Sequence, residues 1–255
     1  MPKKPTVFNE DFTGIVIPDT HIPYHDYRAF NLVCDVIQSI QPTYLIILGD
    51  FADCYSVSSH SKDPRRINSL HEEISYVREN LQYLEACAGK AKKVFIKGNH
   101  ENRLERYLQD KAPELYDLVQ QSDVFGLHAH QWEVVEYRES IKIGNIWFTH
   151  DIGLAGIHST YQSLRMCQHN LIIGHNHRMN YHVQSNTTGT PHVGASFGWL
   201  GDVTQIDYMH KLVAMASWTL GFGWIRHDAA TNLTIPTPIP ILDYHCWVEG
   251  QKFSG

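Results

Sequence analysis

Five apolar runs in this chain each stop at side chains that can bind a metal or move a proton. TGIVIP (13–18) is followed by Asp19 and His21, and TYLIILG (43–49) by Asp50 and Asp53. KKVFIKG (92–98) is followed by Asn99 and His100, IWFT (146–149) by His150, and LIIG (171–174) by His175 and His177. The set holds three carboxylates, one amide and five imidazoles. Neutral imidazole is a common metal ligand. Clustered carboxylates raise one another's pKa unless cations offset the repulsion. Two divalent ions would relieve that repulsion. Oxygen and imidazole donors without a thiolate suit Mn, Fe, Zn or Ni, with Mn favoured, over Ca, Mg or a cysteine-bound structural zinc. Glycines before Asp50, Asn99 and His175 permit tight turns close to the ions.

For these residues to meet, the runs must be strands that share one edge. The runs are short and rich in β-branched residues, as buried strands are. Between them, 26–40 and 67–88 carry apolar residues at helical spacing, with Pro42 closing the first helix. Strand–helix alternation predicts a largely parallel sheet, whose carboxyl ends lie along one edge where ligands bind. Residues 54–66 read as a polar loop, and 101–120 as helical with a restart at Pro113. WEVVEYRES (132–140) and IKIGNIWFTH (141–150) read as antiparallel strands, turning at Gly144-Asn145. A short helix over 153–167 leads into LIIGHNH. Three prolines in NLTIPTPIPIL (232–242) confine that segment to a sheet edge or an extended tail. The simplest reading is one domain over 1–255.

Composition narrows the partners. The chain has 255 residues, 43% hydrophobic and 19% charged, with a formal net charge of −6. That balance argues against a broad basic surface for duplex nucleic acid, but leaves room for a local basic groove or a small anionic substrate. Five scattered cysteines without a CxxC pair fit a reducing compartment. No segment reads as a secretory signal or a membrane span, so a cytoplasmic protein is expected.

The five motifs, DTH (19–21), GDFAD (49–53), GNHE (98–101), the lone His150 and GHNH (174–177), occur in the order DxH, GDxxD, GNH(D/E), H, GHxH. In this the chain resembles the calcineurin-like metallophosphoesterase superfamily. The run FADCYSVSSHSKDPRR with GNHENRLERY is similar to small phage-type members. The resemblance implies an α/β/β/α sandwich with two central mixed β-sheets. It also implies Asp19, His21 and His177 around one metal, Asn99, His150 and His175 around a second, and Asp50 bridging both. His100 would protonate the leaving oxygen, Asp53 would orient His100, and Asn99 and His100 would contact the substrate. Paired ions clamp a phosphate and lower the pKa of a shared water, and a positioned acid adds about 10²–10⁴-fold. The substrate would be a phosphoester, and nucleotides, cyclic nucleotides and single-stranded nucleic acid are the candidates.

Two positions depart from the family pattern. The lone His is usually followed by Gly, but here by Asp151, which leaves His158 or His130 as alternatives. The protein-phosphatase branch follows GDxxD with Arg-Gly, where this chain has Cys54-Tyr55. The GHxH ending and that missing Arg favour a phosphodiesterase over a protein phosphatase, with a phosphomonoesterase as the runner-up. The intact ligand set with His100 argues against a non-catalytic metal-binding scaffold. His60, Arg65, Arg66 and Arg103 could reach substrate phosphates. A solvated loop is favoured for the Arg65–Arg66 pair, and a salt bridge to Glu101 or a neighbour is at least as good a reading for Arg103. Trp199 is read as core.

Overall fold

The computed structural model describes residues 10–63, 69–205 and 217–255. The alternation of β1 (Phe12–Ile17), α1 (Tyr27–Ile40), β2 (Tyr44–Ile47), α2 (Leu70–Ala88) and β3 (Lys92–Ile96) matches the periodicity of the sequence. There follow α3 (Asn102–Lys111), α4 (Gln121–Val124), β4 (Glu133–Val135), β5 (Ile141–Ile143), β6 (Ile146–Thr149), α5 (Ser159–Cys167) and β7 (Leu171–Ile173). The chain ends with β8 (Met179–Ser185), β9 (Pro191–Phe197), β10 (Gly221–Asp228), β11 (Leu233–Pro240), β12 (His245–Val248) and β13 (Gln251–Ser254).

Two mixed sheets stack face to face. The first has six strands in the order β11-β10-β1-β2-β3-β4, and the second five in the order β5-β6-β7-β9-β8. The period-two alternation of the strands explains how the layers form. Ile15, Ile17, Leu45 and Ile47 point to the cluster shared with Phe30, Val33 and Ile37 of α1 and Val77, Leu81 and Leu84 of α2. Val16, Ile46 and Leu48 point the other way, onto Ile146, Phe148, Ile172 and Phe197 of the second sheet. α5 covers the outer face of that second sheet, against β7, β8 and β9. The result is the α/β/β/α sandwich.

Local signals fix the helix ends. Asp26 caps α1 by accepting from Ala29 N at 3.0 Å. Ser69 and Glu72 form a reciprocal capping box on α2. α3 stops at Lys111, because Pro113 disfavours helical geometry at the residue before it. Ala112 accordingly sits at φ −150°, ψ 58°, and the expected helical continuation shrinks to a 3₁₀ turn over Pro113–Leu115.

One strand expectation is corrected. β4 is not the antiparallel partner of β5; it extends the first sheet, parallel to β3. Val134 and Val135 pack on opposite sides of that sheet, so this segment needs cover on both faces. β5 and β6 do form the antiparallel hairpin, with Ile143 opposite Ile146 across Gly144 and Asn145. β11, with Pro236, Pro238 and Pro240, takes the edge of the six-stranded sheet.

Candidate metal centre

β1, β2, β3 and β4 run parallel, as do β6, β7 and β9. Their carboxyl ends therefore bring the polar termini to one edge spanning both sheets. Three groups of donor atoms converge there: Asp19 with His21 and His177, Asp50 with His150 and His175, and His21 with Asp50 and His100. Within each group the ligand atoms lie within 4.8 Å of one another.

The backbone is bent hard to achieve this. His21, Asp50, His175 and His177 all have positive φ, at 59°, 49°, 68° and 56°. Asp and His visit this region more readily than bulky residues, yet it still carries strain of the order of 1–3 kcal/mol per residue. Such strain gathers at functional sites. Glycine makes the close approach possible: a Cβ on Gly98 would lie 2.1 Å from Asp50 Oδ1, and one on Gly49 2.4 Å from His150 Nδ1.

His21 Nε2 faces His177 Nε2 at 3.1 Å, and His177 Nε2 lies 3.5 Å from Asp19 Oδ1. On the other side, His150 Nε2 is 3.0 Å from Asn99 Oδ1 and 3.3 Å from Asp50 Oδ2. His150 Nδ1 donates to Leu48 O at 2.8 Å, which turns Nε2 inward. Two imidazole nitrogens aimed at each other beside a carboxylate are poor neighbours by themselves but suit a shared cation. The residues therefore fit a pair of divalent ions in their donor chemistry. His175 and His177 part as they leave β7, His175 toward Asp50 and His150, His177 toward Asp19 and His21.

The electrostatics are those of a buried, charge-dense site. Burial raises the Asp19 and Asp50 carboxyls, but nearby imidazoles outweigh it: His177 and His150 hold Asp19 low, and His100 and His150 hold Asp50 well below the usual range. Burial lowers His150, yet Asp50 pushes it up to about 10. His21 is the opposite case, where burial and the nearby His100 bring it down to about 4. For His100, burial is outweighed by Asp50 and Asp53, and its pKa rises.

Asp53 is the hub beside these candidate ligands. It is 3% exposed. Its Oδ2 lies 3.2 Å from His21 Nδ1 and 3.3 Å from His100 Nδ1, and its Oδ1 accepts from Arg103 Nη1 at 3.1 Å. Arg103 Nη2 also donates to His100 Nε2 at 2.8 Å. Arg103 thus pairs with Asp53 and not with Glu101. Glu101 is fully buried and accepts from the backbone N–H groups of Gly98, Asp50 and Ala52 at 2.7, 2.9 and 2.8 Å. It ties the ends of β2 and β3 together.

Sequence reading missed Glu101, Glu73 and Asn176. Glu73, on α2, accepts from Tyr55 N at 3.0 Å and Ser56 Oγ at 2.9 Å, holding the loop after Asp53. Asn176 donates to Ser159 Oγ and Thr160 Oγ1 at 3.0 and 2.8 Å, anchoring the GHNH loop on α5. Only GNHE carried a hint, in the acid at its fourth position. Trp199 is 2% exposed and stacks on His177 with ring centroids 5.0 Å apart. His130 pairs with Glu85 at 2.8 Å, and His158 is exposed at the start of α5, so neither joins the cluster. His60 is exposed, while Arg65 and Arg66 lie outside the described residues. Asp151, after His150, is buried and accepts from Gly153 N at 2.7 Å, which closes the turn after β6.

The chain is 25% identical over 272 residues to the Gene 54 protein of Mycobacterium phage D29, covering 94% of this chain and 98% of that protein. It is 26% identical over 263 residues to the Gene 54 protein of Mycobacterium phage L5, with the same coverage. Among solved structures, Vacuolar Protein Sorting 29 from Cryptosporidium parvum aligns with a TM-score of 0.45 at 13% identity, over 95% of this chain and 94% of that one. The E. coli phosphoesterase YfcE aligns with a TM-score of 0.37 at 14% identity, over 88% and 98%. The profile of the calcineurin-like phosphoesterases matches residues 13–192, a stretch that runs from β1 to the start of β9 and carries all five strand-end motifs, and the chain belongs to that family.

Proposed function

We propose that this chain is a phosphodiesterase that works with two divalent metal ions, Mn²⁺ favoured, on a nucleotide-type phosphodiester. Asp19, His21 and His177 would hold one ion, Asn99, His150 and His175 the other, and Asp50 both. When bound, such a pair polarises the phosphoryl group and supplies a nucleophile at neutral pH.

The chain's own residues do the rest. Asp53 accepts from Nδ1 of His21 and so turns His21 Nε2 toward the ion site. The same carboxylate holds His100 by Nδ1, leaving His100 Nε2 to face the substrate. Arg103 Nη2 donates to that Nε2. A phosphate that draws the guanidinium away frees Nε2 to carry a proton, and Asp50 and Asp53 favour that protonated form. His100 is then the acid for a leaving alkoxide, and Asn99 lies beside it to contact the phosphate.

The observation that carries the diester preference is Cys54. Where a protein phosphatase has an arginine for a dianionic phosphate, this chain has a buried cysteine, 2% exposed. A monoanionic diester needs less positive charge there. We read residues 1–255 as one unit acting in the cytoplasm. The core shared between the two sheets supports the first reading, and five free cysteines support the second. No helix among the described residues is long and apolar enough to cross a membrane. With Mn²⁺, bis(p-nitrophenyl) phosphate should be turned over at least as well as p-nitrophenyl phosphate. A clear preference for the monoester across pH would replace this reading with a phosphomonoesterase.

A further inference from the structure

A groove of about 250 Å³ lies along α3, outside the metal cluster. Its lining includes Arg103, the residue hydrogen-bonded to His100, and continues over Arg106, Tyr107 and Lys111 with Lys62 on the facing loop. One carboxylate, Asp110, also lines it. Arg103, Arg106, Tyr107 and Lys111 recur at three- and four-residue spacing, so they share one helix face. At 1.5 Å rise per residue, Arg103 to Lys111 spans about 12 Å.

This concentration of cations stands out on a chain of formal net charge −6. Arg106 and Lys111 are exposed, and neither has a carboxylate within ion-pair distance among the described residues. Lys62 donates to Ser56 O, which holds its ammonium on the loop facing α3. Tyr107 sits between the cations and is 43% exposed. A purely solvated helix face would not need the facing lysine, the groove or the aromatic ring in the same place. A cationic groove with an exposed aromatic is the arrangement that binds single-stranded nucleic acid: cations track the phosphates and the ring stacks a base. The 12 Å span exceeds what the adjacent phosphates of a nucleoside triphosphate require.

We infer that the α3 groove is a single-strand subsite, which takes the sugar–phosphate chain of a nucleic acid whose scissile phosphate lies beside His100 and Asp50. The inference rests on the phosphodiesterase reading for the scissile end only; binding along the groove is separate from turnover. Arg106 and Lys111 would each contact a phosphate, and Tyr107 a base.

The test is fluorescence anisotropy of a 5′-labelled twelve-residue oligodeoxythymidylate with the full chain, without added metal, over a salt series. ATP is titrated in parallel, and Mn²⁺-dependent turnover of bis(p-nitrophenyl) phosphate is measured on the same proteins. Each phosphate contact with a single strand contributes a log–log salt slope of about −0.7. The double variant Arg106→Ala/Lys111→Ala should therefore flatten the slope by about 1.4 and weaken binding at 50 mM salt by roughly 60-fold. Tyr107→Ala should weaken binding by about fivefold or more with little change in slope. Turnover of the small diester, which does not reach the groove, should be unchanged. No oligonucleotide binding by the wild type, or a double variant with unchanged affinity and slope, overturns the inference. An equal loss of ATP and oligonucleotide binding overturns it in favour of a nucleoside-polyphosphate site. Failure of wild-type bis(p-nitrophenyl) phosphate turnover counts against the phosphodiesterase reading instead, and leaves the binding result to decide the groove.

Discussion

Replacing Asp53 with Asn keeps the shape of the side chain and removes its charge. In the folded protein this carboxylate takes hydrogen bonds from His21 Nδ1 and Arg103 Nη1 at 3.2 and 3.1 Å, and it lies 3.3 Å from His100 Nδ1, which is also 3.2 Å from the Asp53 carbonyl oxygen. An amide has one accepting oxygen. If that oxygen stays near the two imidazoles, the amide NH₂ faces the guanidinium of Arg103, donor against donor. If the amide flips, its NH₂ faces both Nδ1–H groups. His21 must then move its proton to Nε2, the nitrogen that points at His177. Either arrangement leaves a buried donor unpaired, at about 1–3 kcal/mol. Loss of such a support to a ligating imidazole weakens metal binding by about 10–100-fold. We therefore expect Asp53→Asn to lower the affinity of one ion, the one near His21, by that factor and to leave the other nearly unchanged. Isothermal titration with Mn²⁺ should resolve a weakened first site. At saturating Mn²⁺ a rate loss should remain for substrates with alkoxide leaving groups, because His100 is also mispositioned. Two sites of wild-type affinity, with wild-type turnover, would refute the role of Asp53 as a shared support.

Two other variants separate the remaining roles. His100→Asn should retain both ions and slow cleavage of a nucleoside diester by about 10²–10⁴-fold, with a much smaller loss for a nitrophenyl diester, whose leaving group needs no proton. Equal losses for the two substrates, or loss of metal, would show that His100 is not the acid. Burial raises Glu73 to about 7, only partly offset by its bonds to Ser56 and Tyr55. A carboxyl whose folded pKa lies above its unfolded value contributes stability that is complete below the unfolded value near 4.5 and lost as pH rises through about 7. Glu73→Gln should flatten the fall in stability between pH 5 and 8, by up to about 3 kcal/mol; denaturant melts of the metal-free protein with the same pH slope in both forms would contradict this.

Much of the site was legible because each candidate ligand follows an apolar run, and parallel strands put such ends together. The pattern IVIPDTH or LIIGHNH states both the burial of the strand and the chemistry at its tip. The rest depends on contacts between residues distant in sequence. Glu101 reads as one more acid until its oxygens are seen to accept from Gly98, Asp50 and Ala52. Glu73 sits on an amphipathic helix where an acid is ordinary, and only the fold brings it to the loop after Asp53. β4 was misread because three residues, Glu133–Val135, carry too little periodicity to reveal which sheet they join. Arg103 could have paired with Glu101 by sequence proximity, but Glu101 is occupied by backbone amides and Asp53 is within reach.

In the proposed centre, Asp50 joins two metal ions at the shared edge of the sheets. Elemental analysis of protein equilibrated with Mn²⁺ and then desalted tests it most directly. The wild type should carry two ions per chain, and Asp50→Asn should lose most of the bound metal together with nearly all activity. One ion per chain, retained unchanged in Asp50→Asn, would rule out a bridging Asp50.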